Sequence, residues 1–157
     1  MRVHIASDHA GFQLKQYLVE HLAGEGYEVV DHGANVYDSQ DDYPPFCAAC
    51  ARAVVADETA GLEVFGVVLG GSGNGEQMAA NKVPGARAVL VTHLDLATLG
   101  RAHNNANVIA IGARFTAAEF AWALVQAFIT TPFSGIERHA RRVREVTALE
   151  TPASKPV

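Results

Sequence analysis

The chain has 157 residues, of which 49% are hydrophobic and 18% charged, and its formal net charge is −5 at pH 7. This length suits one domain, at residues 1–150, and the acidic balance argues against a nucleic-acid partner. No apolar run approaches the roughly 20 residues of a membrane span, so no membrane partner is expected. Residues 1–6 have the pattern of a short strand and not of a signal peptide, which predicts a cytoplasmic protein.

Apolar segments alternate with segments of helical periodicity along the chain. The predicted strands cover residues 2–6, 27–30, 64–69, 86–91 and 108–111. This alternation predicts a Rossmann-like, doubly wound α/β fold, in which helices cover both faces of a five-stranded parallel sheet in three α/β/α layers. A basic C-terminal helix follows, to about residue 149, and then a flexible tail at 151–157. Residues 116–119 and 134–137 match capping boxes and predict two helix starts.

The stretch at residues 69–77, Leu-Gly-Gly-Ser-Gly-Asn-Gly-Glu-Gln, follows the third predicted strand. Its glycines leave backbone N–H groups free to approach an anion closely. A carboxylate beside such N–H groups suits the removal of a proton from a carbon next to a carbonyl, because the amides stabilise the enolate oxygen. The candidate groups are the backbone of Gly71, Gly73 and Gly75, the side chains of Ser72 and Asn74, and the carboxylate of Glu76.

The glycine-rich and cysteine-bearing segments are each compatible with a second function. Residues 71–76 partly match the dinucleotide fingerprint, but Glu76 replaces its last glycine and the loop follows the third strand instead of the first. Cys47 and Cys50 form a C-x-x-C sequence near the start of a helix, which is compatible with redox chemistry. The alternative is two small apolar residues on a helix over about residues 45–55, and no second cysteine pair supports zinc binding.

Other polar residues fall beyond the carboxyl ends of predicted strands, where ligands bind in such sheets. Asp8 and His9 follow the first strand, although Asp8 could also be a helix cap beside a surface histidine. Arg114 follows the fifth strand.

Two further candidate groups lie on helices. His103 and Asn104 end one helix, where a histidine favoured by the helix dipole and an asparagine cap would also be ordinary. Arg138 and Arg142 lie on one face of the C-terminal helix and could clamp a phosphate or form a solvated basic face.

Taken together, these segments resemble the ribose-5-phosphate isomerase B family, which is grouped with the galactose-6-phosphate isomerase subunits. The resemblance covers Met1 to about Val146, and the order and spacing of the motifs make it specific. The matching stretches are residues 7–11, 42–44, 71–75, 79–82, 103–107 and 112–114.

The resemblance implies interconversion of aldose and ketose sugar phosphates, here ribose 5-phosphate and ribulose 5-phosphate, through a cis-enediol(ate) without metal, nucleotide or other cofactor. In one branch of the family the base is a cysteine just before the glycine loop, where this chain has Gly70. In the other branch a glutamate after the loop is the base, and Glu76 matches it. The resemblance therefore gives neither Cys47 nor Cys50 a catalytic role.

The resemblance also assigns roles to the remaining candidates. His103 would open the sugar ring, Ser72 and the loop amides would stabilise the enediolate, and the phosphate would be held by His9, Arg114, Arg138 and Arg142. Asp8, Tyr43 and Asn104 would bind the sugar. Family members are homodimers or tetramers with sites across the dimer interface, so His103, Asn104 and Arg114 are expected from the subunit that does not supply Glu76.

Two alternatives stay open at this point. A six-carbon sugar phosphate, such as allose or galactose 6-phosphate, could be the substrate. A non-catalytic phosphate- or nucleotide-binding module is the other alternative, although such a module has no use for the Glu76 carboxylate beside its anion site.

Overall fold

The computed structural model describes residues 1–150, and the segment expected to be a flexible tail lies outside them. The strands are β1 (Arg2–Ser7), β2 (Glu28–Asp31), β3 (Val64–Gly70), β4 (Ala88–Leu90) and β5 (Val108–Gly112). The helices are α1 (Phe12–Gly24), α2 (Tyr43–Thr59), α3 (Asn74–Ala80), α4 (Leu94–Asn104), α5 (Ala118–Thr130) and α6 (Glu137–Ala148). Within residues 1–150, no helix has the length and apolar character needed to cross a membrane.

The five strands form one sheet in the order β2-β1-β3-β5-β4, and each neighbouring pair is parallel. This arrangement confirms the predicted doubly wound α/β fold. Strands β1 and β3 are neighbours in the sheet. From β1 the chain continues to β2 on one side of this pair, and from β3 it continues to β4 and β5 on the other side. A crevice opens at such a switch point, beyond the carboxyl ends of the two strands, and it is the usual ligand site in this architecture.

The sheet separates two hydrophobic cores because successive side chains of a strand point to opposite faces. In β3, Val67 and Leu69 pack against the face covered by α1, α4 and α5, whereas Val68 packs against the face covered by α2 and α3. The central strands β3 and β5 are buried along their whole length. This double burial explains why they are apolar throughout and do not alternate with polar residues.

Three helix starts differ from those predicted. Helix α2 begins at Tyr43, before Pro44 and Pro45, because the first turn of a helix needs no backbone N–H and so accepts proline. The two capping boxes are wrong, since α5 and α6 begin without a side-chain cap. Instead of capping α6 as predicted, Ser134 Oγ accepts a hydrogen bond from the Ile136 amide and contacts His139 Nδ1.

Candidate active site

The glycine loop lies at the switch-point crevice, between the end of β3 and the start of α3. Gly73 has φ +81°, a conformation that side chains other than glycine rarely adopt. A Cβ atom there would lie 2.5 Å from Leu90 Cδ1 and 3.0 Å from the Gly112 amide nitrogen. Glycine at this position therefore lets the loop pack directly against the end of β5.

Ser72 presents a hydroxyl at the exposed rim of the loop. Its Oγ accepts hydrogen bonds from the Asn74 backbone at 3.3 Å and from the Asn74 side chain at 3.2 Å. Because both contacts use the oxygen as an acceptor, the Ser72 proton is left to be donated to a ligand. Asn74 thus orients the Ser72 hydroxyl.

Glu76 is buried in the first turn of α3, with 4% of the residue exposed. Its carboxylate lies where a side chain at Gly70 would be, since a Cβ built on Gly70 would overlap it. Burial raises the pKa of Glu76, and the nearby charge of Asp8 raises it further, while contacts with the Glu76 and Gly73 backbone oppose the shift. A carboxylate with a raised pKa is a stronger base, as proton abstraction requires.

Asp8 and His9 lie on the neighbouring loop after β1. Asp8 is buried, and its Oδ1 accepts hydrogen bonds from the Ala10 and Gly11 amides at 2.9 and 3.1 Å. His9 is partly exposed, and its ring nitrogen Nδ1 donates to Asp41 Oδ1 at 2.7 Å. The two residues therefore share a loop but have different partners.

Tyr43 and Arg114 complete the residues around the glycine loop. A Cβ on Gly75 would lie 2.5 Å from Cζ of the Tyr43 ring, so the ring packs directly on this glycine. The Arg114 guanidinium lies beside Gly71, and the Arg114 backbone N–H donates to the Gly71 carbonyl at 3.1 Å. The expectation that Arg114 reaches a site from the other subunit is therefore wrong, because the residue is already beside the loop of its own chain.

The remaining candidates form a second cluster on α4 and α6. His103 stacks on the buried His139, with ring centroids 4.2 Å apart. Arg138 Nε donates to His139 Nε2 at 3.2 Å. Asn104 and Arg142 both line a groove of about 580 Å³ between α6 and the body of the domain.

His139 has a lowered pKa, because it is buried and because the charges of His103, Arg138 and Arg142 face it. A neutral His139 with an acceptor Nε2 has its proton on Nδ1, where it is donated to Ser134 Oγ at 2.8 Å. The His103 ring is therefore supported by a neutral partner.

The two clusters lie at opposite ends of the parallel strands. Asp8, the glycine loop and Arg114 follow the carboxyl ends of β1, β3 and β5, whereas Asn104 precedes the amino end of β5. The five residues of β5 separate these ends by about 16 Å at 3.3 Å per residue. Within one chain, His103 and Asn104 therefore do not meet Glu76.

The two cysteines are free and buried against the sheet. Burial raises the pKa of both thiols, that of Cys50 to about 12, and Cys50 Sγ also contacts the Val67 carbonyl. Thiols that stay protonated are poor nucleophiles and poor metal ligands. The structure therefore favours the packing role over redox chemistry.

Asp8, His9 and Asp41 place one possible ligand atom each within 4.8 Å of one another, the spacing of a metal site. Atoms that could bind a metal already make hydrogen bonds within the protein. His9 Nδ1 donates a hydrogen bond to Asp41 Oδ1, and Asp8 Oδ1 accepts hydrogen bonds from two backbone amides. We therefore describe this group as a hydrogen-bonded cluster and assign no ion to it.

Two residues that the sequence does not predict to be functional, Asp41 and His139, each contact a candidate site residue. Asp41 stands beside a matching stretch, residues 42–44, but its partner His9 is 32 positions away. His139 lies between Arg138 and Arg142 on the same helix. The spacing of the arginines predicts a phosphate clamp, whereas a single histidine near the end of an element gives no chemical signal by itself.

Comparisons with known proteins place the chain among sugar-phosphate isomerases. A family model described as Ribose/Galactose Isomerase matches residues 3–146. The chain belongs to this family. A relative in the family, ribose-5-phosphate isomerase B of Mycolicibacterium paratuberculosis, is 53% identical over 143 residues, covering 91% of this chain and 87% of the relative.

Solved structures of the family have the same fold. A ribose 5-phosphate isomerase from Thermotoga maritima matches with a TM-score of 0.86 at 40% identity, covering 94% of this chain and 97% of that one. Ribose-5-phosphate isomerase B from Mycoplasma genitalium, solved with bound ribulose-5-phosphate, matches with a TM-score of 0.87 at 38% identity over 95% of each chain.

Proposed function

We propose that this chain is an aldose–ketose isomerase that interconverts ribose 5-phosphate and ribulose 5-phosphate. The observation that carries the proposal is the buried Glu76 carboxylate beside the glycine loop, in a member of the ribose/galactose isomerase family. The relatives named above carry the name of this activity. A base next to several amide donors is the arrangement that an enediolate intermediate needs.

In the proposed mechanism, His103 opens the sugar ring by moving a proton between the ring oxygen and the C1 hydroxyl. A histidine can do this near neutral pH because its ordinary pKa is about 6.5. Glu76 then removes the proton from C2 of the open aldose, the proton of the O2 hydroxyl moves to O1, and Glu76 delivers its proton to C1 of the enediolate, which leaves the C2 carbonyl of the ketose. The Ser72 hydroxyl and the loop amides stabilise the negative charge on O1 and O2 between these two transfers.

Binding of the sugar and its phosphate falls to the surrounding polar groups. Asp8, Tyr43 and Asn104 contact the sugar hydroxyls. His9 and Arg114, from the chain that supplies Glu76, hold the phosphate together with Arg138 and Arg142 of a second chain. Several cations around one phosphate match the dianion charge of a sugar phosphate at neutral pH.

A homodimer, or a tetramer of two such dimers, would complete the site. Leu96, Leu99 and His103 are spaced three and four residues apart and lie on one face of α4. Both leucines are more than 40% exposed, and an apolar stripe of this kind is typical of a protein interface. In the proposed dimer, a second chain covers this stripe, and His103 of the first chain reaches the glycine loop of the second chain.

The cytoplasmic location of the protein stays a prediction.

The test is an isomerisation assay with ribose 5-phosphate in buffer that contains EDTA and no nucleotide. Formation of ribulose 5-phosphate by the wild-type chain, and its loss in Glu76→Gln, would support the proposal. A folded wild-type protein that is inactive on ribose 5-phosphate but active on allose or galactose 6-phosphate would change the substrate. If all three sugar phosphates are inert and only NAD or ATP raises the Tm, the chain is a binding module.

A further inference from the structure

Asp41 holds His9 at two points. Its Oδ1 accepts one hydrogen bond from the His9 backbone amide at 2.9 Å and another from His9 Nδ1 at 2.7 Å. A ring held at its backbone and at Nδ1 has little freedom to rotate. The other ring nitrogen, Nε2, makes no hydrogen bond within residues 1–150, and the ring is partly exposed.

The surrounding charges favour a proton on both nitrogens of His9. Asp41 is the strongest influence, its hydrogen bond raising the pKa of His9; the charge of Asp8 raises it further, while burial and Arg114 lower it. The Tyr37 ring packs edge-on against His9. Asp41 Oδ2 is buried without a hydrogen-bond partner among residues 1–150. The two hydrogen bonds from His9 to Oδ1 are therefore the contacts that compensate the burial of this carboxylate.

We propose that Asp41 is a positioning residue for phosphate recognition, which fixes the His9 ring so that Nε2–H points to the phosphate of the substrate. This inference rests on the proposed function, in which His9 and Arg114 bind the sugar phosphate. Asp41 does not touch the substrate in this arrangement. It acts through His9, and it should therefore influence binding of the phosphate far more than transfer of the proton.

The first experiment compares Asp41→Ala with Asp42→Ala in the full chain. Asp42 is the neighbouring acid, is exposed, and makes no side-chain cap on α2, so it is a matched control. Asp41→Ala is expected to raise both the Kd for inorganic phosphate and the KM for ribose 5-phosphate by roughly tenfold. The kcat should change much less. Asp42→Ala is expected to change neither. An unchanged Kd for phosphate in Asp41→Ala would overturn the proposal.

Asp41→Asn keeps an acceptor oxygen but removes the charge. It is expected to recover part of the phosphate affinity and to lower the pKa of His9, measured by NMR titration of the ring protons. Phosphate affinity should then fade at a lower pH than in the wild type, because the protonated ring is lost earlier as pH rises. A His9 titration that does not move would contradict the proposed role.

A double-mutant cycle with His9→Asn tests whether Asp41 acts through His9. In the His9→Asn background, Asp41→Ala should cause no further loss of phosphate affinity. Equal losses in both backgrounds would mean that Asp41 acts only by shaping its loop. Phosphate binding and the His9 titration need no turnover, so a wild-type chain that binds phosphate but is inactive would refute the proposed function and leave this inference standing.

Discussion

The Glu76 carboxylate occupies the space that a side chain at Gly70 would need. A Cβ built on Gly70 would overlap the carboxylate, because Gly70 ends β3 and Glu76 lies in the first turn of α3 directly above it. The absence of a side chain at one position therefore makes room for the proposed base at the other.

Gly70→Ala should leave the chain folded and remove most of its activity. The added methyl meets the flexible end of Glu76 and not the backbone, so the carboxylate is expected to move out of place. We expect kcat to fall by about 10²–10⁴, the range for the loss of a general base. Isomerase assays would measure this, with Gly24→Ala as the control, since no atom lies within 4 Å of a Cβ at Gly24. Full activity in Gly70→Ala would show that the position of this carboxylate is not critical.

Glu76→Gln should be nearly inactive, still able to bind ribose 5-phosphate, and more stable than the wild type. Burial and the charge of Asp8 both disfavour the ionised carboxylate of Glu76, and a neutral amide does not carry this cost. The pKa of Glu76 is near 4.5 in the unfolded chain and is higher in the folded protein. The free energy of unfolding of the wild type therefore falls as the pH rises from the unfolded-state pKa through the folded-state pKa. The difference in Tm between variant and wild type should therefore grow with pH. A variant less stable at pH 8 would contradict this.

Activity of the wild type should fall on the acid side as pH drops through the pKa of Glu76. The base must be ionised, and burial together with the charge of Asp8 raises its pKa above the ordinary value. The acid limb of the kcat profile should therefore lie above the pH expected for an exposed glutamate, about 4.5. A profile flat from neutral pH down to about pH 4.5 would mean that Glu76 is not the group that titrates.

Mixing two inactive variants should restore activity if each site uses two chains. Glu76→Gln and His103→Ala change opposite edges of the sheet. In a mixed dimer, one site carries both defects and the other carries neither. Random reassembly of equal amounts should give about a quarter of wild-type activity, since half of the dimers are mixed and each has one intact site. Activity no higher than that of the separate variants would place His103 and Glu76 in separate functions.

Arg142→Ala should raise the KM for ribose 5-phosphate more than it lowers kcat, because its guanidinium is proposed to bind a phosphate that does not react. Arg144→Ala on the same helix is the matched control, since Arg144 pairs with Glu137 on the exposed surface. Steady-state kinetics on both variants, with dimer content checked by sedimentation, would make the comparison. An unchanged KM for Arg142→Ala would place the phosphate elsewhere.

Local sequence patterns predicted much of the fold. The runs that became β3 and β5 are apolar at every position because they are buried on both faces, and a continuous apolar run between turns is visible without a structure. The glycine loop was equally visible, since glycine, a hydroxyl and a carboxylate within nine residues are close in space whatever the fold. The helix starts were not predicted correctly because capping depends on loop geometry, and α5 and α6 begin without the predicted side-chain caps.

By itself, the sequence determined the layered architecture, the glycine loop and the presence of Glu76 in it. Only the tertiary structure decided that Glu76 is buried against Gly70, that Asp41 holds His9, and that Arg114 lies beside the loop of its own chain. It also placed His103 at the far edge of the sheet. The physical reason is that hydrophobic periodicity is a local property of the chain, whereas desolvation, charge pairing and the two ends of a strand depend on residues that meet only after folding.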